Sequence, residues 1–256
     1  YLDFLRDAHA AWTALPGAGE EMVANIHPLP EMLAQGGHAG PHPVAALGAF
    51  TADTACPIGA GTWEAALGAA ACALAAVEEA AAGRTAYALC RPPGHHAYAA
   101  RAGGHCYLNN AAIAAEALRR AGAARVAVLD IDSHHGNGTQ GIFWERGDVL
   151  TISIHADPDR YYPWYVGRPG ERGAGHGEDR NLNLPLPFGT GDEGWLEAIA
   201  VGLHAIRGFG AEALVVSLGF DASEHEPLAA LNVTAGGFAR AAEAISAARL
   251  PAALIQ

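Results

Sequence analysis

From residue 85 onward the chain alternates short apolar runs with longer segments whose apolar positions recur every three or four residues, as strands interleaved with helices do. Residues 85–90, 125–130, 149–155, 213–218 and 252–256 read as strands. Val126-Ala127-Val128-Leu129 has no polar position, as expected of a strand buried on both faces. Residues 110–121 and about 237–248 read as helices. Residues 62–82 form an alanine-rich helix with Thr62 as N-cap and Gly83 past its end. Trp195, Ile199, Leu203 and Ile206 make the apolar stripe of another helix, which opens on the capping-box spacing Thr190 to Glu193. The order strand, helix, strand predicts a parallel sheet with right-handed crossovers, and hence a single α/β domain over residues 1–256. Upstream, Leu2, Leu5, Ala8 and Trp12 predict an amphipathic helix over residues 2–14. Residues 16–61 are rich in Pro, Gly and His without periodicity, which marks a functional insertion rather than a simple connection. Its histidines, His27, His38 and His42, fit no zinc-finger spacing and are read as loop or interface residues.

Polar residues begin where the strands should end. After 126–129 come Asp130, Asp132 and His134, which strand alternation places on one side, with Ile131, Ser133 and His135 on the other. A single Asp or His in such a place is an ordinary cap or turn residue. Two carboxylates and an imidazole converging at a strand end, where open α/β sheets bind ligands, point to a metal. Pro92-Pro93-Gly94 presents His95 and His96 after the strand at 85–90, Asp221 follows the strand at 213–218, and His155 ends the one at 149–155. A histidine base needs its second ring nitrogen held by an acceptor. With Asp130 as an anionic acceptor and Asn137 as a neutral one, two such histidines titrate differently, so that one stays basic while the other stays charged.

Composition narrows the chemistry. All fifteen basic residues are arginines, which removes a phosphate-loop lysine, a Schiff-base lysine and a lysine general base. A net charge of -12 and a pI near 5.4 argue against a nucleic-acid surface, and no apolar run reaches transmembrane length. Neither nucleic acid nor a membrane is an expected partner. Cys56, Cys72, Cys90 and Cys106 lack C-x-x-C spacing and lie in apolar or strand-like contexts, the pattern of buried thiols in a cytoplasmic protein.

The segments R-P-P-G-H-H, G-G-H-C-Y-L-N-N, L-D-I-D-S-H-H-G-N-G-T-Q, S-I-H-A-D-P and L-G-F-D-A-S, in this order, resemble the histone deacetylase superfamily and, within it, the bacterial acetylpolyamine amidohydrolase branch. The resemblance runs from about residue 85 to the C-terminus, and Y-L-D-F-L, the insertion and G-T-W-E-A-A extend it more weakly to Tyr1. It implies an arginase-like single α/β domain and zinc held by Asp132, His134 and Asp221. It further implies that His96, held by Asn137, moves the proton of the attacking water to the leaving amine, and that His95, held by Asp130, supplies positive charge. Gly104, His105 and Tyr162 match tunnel-wall positions, with His105 standing where the family has Phe or Tyr. One or two potassium or sodium ions are implied as well, the first at Asp130, Asp132, His134, Ser153 and Ile154, the second at Phe143, Arg146 and Val149.

The same resemblance implies a small acetylated amine as substrate and a homodimer built through the insertion. Leu228, after Glu226-Pro227, stands where some polyamine-selective relatives place an acidic residue. The family's transition-state tyrosine lies in a G-G-Y motif shortly after a strand like 252–256, and this chain ends before it. The expectation is therefore either a fragment or a catalytically crippled form. Three other readings stand beside the polyamine deacetylase: an acetyl-lysine protein deacetylase, a metal-dependent binder of acetylated amines without turnover, and an arginase-like manganese ureohydrolase. The last would hold two metals.

Overall fold

The all-apolar run at 126–129 becomes the centre of a sheet. The computed structural model describes residues 1–228 and 230–256. In chain order the elements are α1 (Leu2–Thr13), α2 (Pro30–Ala34), α3 (Pro43–Phe50), α4 (Thr62–Ala81), β1 (Ala86–Ala88), α5 (Asn110–Arg120), β2 (Val126–Asp130), α6 (Asn137–Phe143), β3 (Val149–Ala156), β4 (Asn181–Leu186), α7 (Asp192–Phe209), β5 (Ala213–Ser217), α8 (Ala235–Ser246) and β6 (Ala252–Ile255). The six strands are ordered β1-β6-β5-β2-β3-β4, and every neighbouring pair is parallel. Helices flank both faces, giving the single α/β domain that the strand-helix order predicts and the arginase-like arrangement that the resemblance implies.

Alternation divides β2 between two cores. Val126 and Val128 pack with the alanines of α4 and α5, among them Ala73, Ala76, Ala111 and Ala114, whose small side chains let the helices lie close to the sheet. Ala127 and Leu129 face the stripe Trp195, Ile199, Leu203 and Ile206 of α7. Leu129, Ile152, Ile199 and Ile206 are closed from solvent, and each stabilises the fold by about 1.5–3 kcal/mol on burial. A third core joins α1 to the insertion through Leu5, Ala8, Met22, Leu47 and Ile58.

Several local expectations change. Within 16–61 stand two short helices and an antiparallel bridge between Met22 and Ile58. Pro30 and Pro43 open those helices at positions where the missing N–H has no partner to lose, and elements this brief show no periodicity. Helix α6 and strand β4 lie outside the predicted elements; β4 contains Pro185, which an edge strand tolerates but which reads as a turn in sequence. The capping box at 190–193 does not form. Gly191 is the N-cap of α7, the Thr190 hydroxyl donates to the Pro187 carbonyl, and the Asp192 carboxylate accepts from the backbone and hydroxyl of Thr234. Thr62 likewise lies inside α4 behind Gly61. Cys56, Cys90 and Cys106 are buried free thiols, but Cys72 is exposed on α4, against the expectation for all four. Among the described residues no helix is long and apolar enough to cross a membrane.

Candidate metal centre and active site

The chain continues from β2 to β3 and β4 on one side, whereas β5 and β6 lie on the other, so the crevice outside the carboxyl ends of β2 and β5 is the switch point where such sheets bind ligands. Asp130 is in register with Ser217 there. Beyond Asp130 the chain leaves the sheet. The Asp132 N–H donates to Asp130 Oδ1 (3.2 Å) and the His134 N–H to Asp132 Oδ1 (2.7 Å), two side-chain turns that bend the backbone. Strand alternation therefore stops, and the convergence of Asp130 with Asp132 and His134 that it predicts is not what forms. Asp221, from the loop after β5, joins Asp132 and His134 instead, with one ligand atom from each lying within 4.8 Å of the others. Gly219 is required for this approach, since a Cβ there would fall 2.0 Å from Asp132 Oδ2.

The donor set fits a cation. His134 Nδ1 lies 3.1 Å from Asp132 Oδ1 and 2.7 Å from Asp221 Oδ2. Burial opposes a charge on His134, yet its hydrogen bonds to Asp132 and Asp221 raise its pKa to about 10. Two partly buried carboxylates thus demand positive charge between them. Two oxygens and one imidazole nitrogen, with coordination positions left over, form a set that zinc takes in catalytic rather than structural sites. Among the described residues this is the one group of three such side chains. His27 pairs with the Gly48 carbonyl and His42 caps α3, in keeping with their reading as loop residues.

Beside the cluster, His95 Nδ1 lies 2.8 Å from Asp130 Oδ2 and His96 Nδ1 lies 2.6 Å from Asn137 Oδ1, with the two rings 4.0 Å apart. The Asn137 amide donates to the Tyr98 hydroxyl (3.1 Å), which leaves its oxygen to accept from His96. His96 therefore carries its proton on Nδ1, and Nε2 keeps a lone pair. Burial, reinforced by His95, pushes the pKa of His96 well below its usual value. Burial acts on His95 in the same direction, but Asp130 and Asp132 outweigh it and raise that pKa to about 9. The two neighbouring imidazoles are thus pushed in opposite directions by their surroundings.

A cavity of 370 Å³ contains this pair, the three-ligand cluster and the wall residues Gly104, His105 and Tyr162. A larger, mostly apolar cavity of 690 Å³ between α8 and β6 contains none of those histidines or carboxylates, so volume alone would misplace the site. Gly104 has φ of 51°, and a Cβ on it would meet the His96 ring at 2.3 Å. The Tyr162 ring meets His96 edge-on at 4.8 Å. Tyr161, which no motif singled out, stacks on His134 at 4.4 Å and 19°. His155 does not reach the cavity. It is wholly buried within β3, its Nε2 donates to the Gly167 carbonyl (2.9 Å), and burial lowers its pKa to about 4. Of the residues associated with monovalent ions, Ser153 accepts from the Gly136 N–H at 3.3 Å. Arg146 forks onto Asp148 and lies over the Phe143 ring.

Residues 1–254 match the histone deacetylase domain. The chain belongs to the histone deacetylase family. It is 47% identical over 263 residues to the acetylpolyamine amidohydrolase of Burkholderia pseudomallei, covering 100% of this chain and 74% of that protein. It is 45% identical over 259 residues to acetylpolyamine amidohydrolase 1 of Pseudomonas aeruginosa, covering 100% of this chain and 73% of that protein. The crystal structure of acetylpolyamine aminohydrolase from Burkholderia pseudomallei superposes with a TM-score of 0.94 over 100% of this chain and 73% of that one. Family membership implies zinc, and Asp132, His134 and Asp221 form a group that could hold a metal ion.

Proposed function

We propose that this chain is a zinc-dependent amidohydrolase that removes acetyl groups from acetylated polyamines or diamines. The observation that carries the reading is the pairing of an Asn137-held His96 with an Asp130-held His95 in the same cavity as the Asp132-His134-Asp221 cluster. The names of its relatives support the acetylpolyamine class. Bound zinc supplies a Lewis acid that polarises the acetyl carbonyl and makes water more acidic. His96 Nε2 takes a proton from the attacking water and returns it to the departing amine nitrogen. His95 places positive charge beside the negative charge that develops on the carbonyl oxygen. Gly104, His105 and Tyr162 line the slot that orients the alkyl stem.

Leu228 is 67% exposed where an acidic residue would select one polyamine, which supports a broad preference among small acetylated amines. The test compares kcat/KM for acetylputrescine, acetylcadaverine and acetylspermidine with that for an acetyl-lysine peptide. The small amines are expected to be preferred by about tenfold or more, and a tenfold preference for the peptide would make this a protein deacetylase.

The assembly we propose is a homodimer. Val23, Ile26, Leu29, Met32 and Leu33 of the insertion are each at least 41% exposed, an apolar surface that a second copy would cover. Light scattering is expected to give twice the chain mass for the unmodified protein and the single-chain mass for Ile26→Asp with Leu29→Asp; a monomer in both cases overturns it. We also assign one or two potassium or sodium ions beneath the site, one at Asp130, Asp132, His134, Ser153 and Ile154 and the other at Phe143, Arg146 and Val149. The free buried thiols of Cys56, Cys90 and Cys106 support a cytoplasmic location, and the charge of -12 supports the absence of a nucleic-acid partner.

A further inference from the structure

Three loops from distant parts of the chain meet at one carboxylate. Asp53, near the end of the insertion, accepts from the Gly104 N–H (2.9 Å) and from the Tyr162 hydroxyl through Oδ2, and from the Ala55 N–H (2.8 Å) through Oδ1. Gly104 and Tyr162 both line the cavity and both lie against the His96 ring, whereas Asp53 stands outside the lining. Two hydrogen bonds from two wall segments here converge on one carboxylate oxygen. Burial, followed by the Asp53 hydrogen bond, raises the pKa of the Tyr162 phenol, so its hydroxyl remains a donor.

We propose that Asp53 is a positioning residue that sets the width of the substrate slot by tying Gly104 to Tyr162. The proposal rests on the amidohydrolase reading for the nature of what enters the slot. It gives a physical reason for tyrosine rather than phenylalanine at position 162: the ring forms the wall, and the hydroxyl anchors it. It also gives part of the insertion a task at the active site, because the residue that aligns the two walls comes from that segment. Releasing the tie widens the slot. A slender alkyl stem then loses wall contacts that it makes in both ground and transition states, while a bulkier amine loses little or gains room.

The test uses the zinc-loaded protein and the variants Tyr162→Phe, Asp53→Asn and the two combined. Each single change is expected to raise KM for a linear monoacetylated diamine by about five- to tenfold, with a smaller effect on kcat. The double change is expected to be no worse than Asp53→Asn alone, because in this proposal the Tyr162 hydroxyl acts through Asp53. Selectivity is expected to move toward the acetyl-lysine peptide. Additive KM effects, or a fall in kcat at constant KM, would overturn the proposal. A second readout needs no turnover: amide hydrogen exchange at 103–106 and at 160–165 is expected to quicken in both single variants, and unchanged exchange also overturns the tie. If the unmodified zinc-loaded protein hydrolyses no acetylated amine, the functional reading fails and exchange alone decides the role of Asp53.

Discussion

His96→Ala is expected to lower kcat by about 10²–10⁴-fold while leaving one zinc bound per chain. His96 is no ligand of the cluster: its Nδ1 faces Asn137 at 2.6 Å, and the three ligand atoms come from Asp132, His134 and Asp221. In the proposed mechanism its removal takes away the lone pair that accepts a proton from water and the proton that the amine needs to leave. Metal analysis beside steady-state kinetics checks both halves. Substrate affinity measured by calorimetry should change far less than kcat, since the carbonyl and the alkyl stem meet other groups. Loss of zinc in this variant would show that His96 belongs to the metal site instead.

The metal centre gives the second large effect. One divalent ion per chain is expected, and Asp132→Ala, His134→Ala and Asp221→Asn should each weaken its binding by more than the roughly 10–100-fold that losing a mere supporting partner costs. Asp221→Asn is the most informative of the three. Asp221 accepts from the Ser133 backbone (2.8 Å) and hydroxyl (2.6 Å), and asparagine keeps an acceptor for one of them while removing the charge. A loss of metal with unchanged circular dichroism then reports the ligand rather than the loop. Activity should fall with metal content in all three. Two tightly bound transition-metal ions in the unmodified protein would instead favour a two-metal ureohydrolase centre.

Long periodic segments were legible from residue pattern alone: β2, β3, β5 and β6, and the helices α1, α4, α5, α7 and α8, carry enough turns or apolar positions for their period to show. The alternating fate of Val126 and Ala127 follows from strand geometry once β2 is central. The strand-end reading singled out His95, His96, Asp132, His134 and Asp221, the resemblance gave them roles, and the fold does bring the five into one cavity. Local geometry reached less far. Alternation placed Asp130 with Asp132, because nothing in the order of residues announces that Asp130 and Asp132 each turn the following backbone through their own carboxylates. Asp130 is thereby left to His95, and the cluster is completed by Asp221, far along the chain in the loop after β5. Tyr161 and Asp53 carry no local signal either. Tyr161 matters because the loop after β3 folds back onto His134, and Asp53 because its carboxylate meets donors 51 and 109 positions away. Periodicity records which face of an element avoids water, a property of neighbours along the chain. Which loops share a hydrogen bond depends on how the strand ends are arranged in the sheet, and only the tertiary structure decides that.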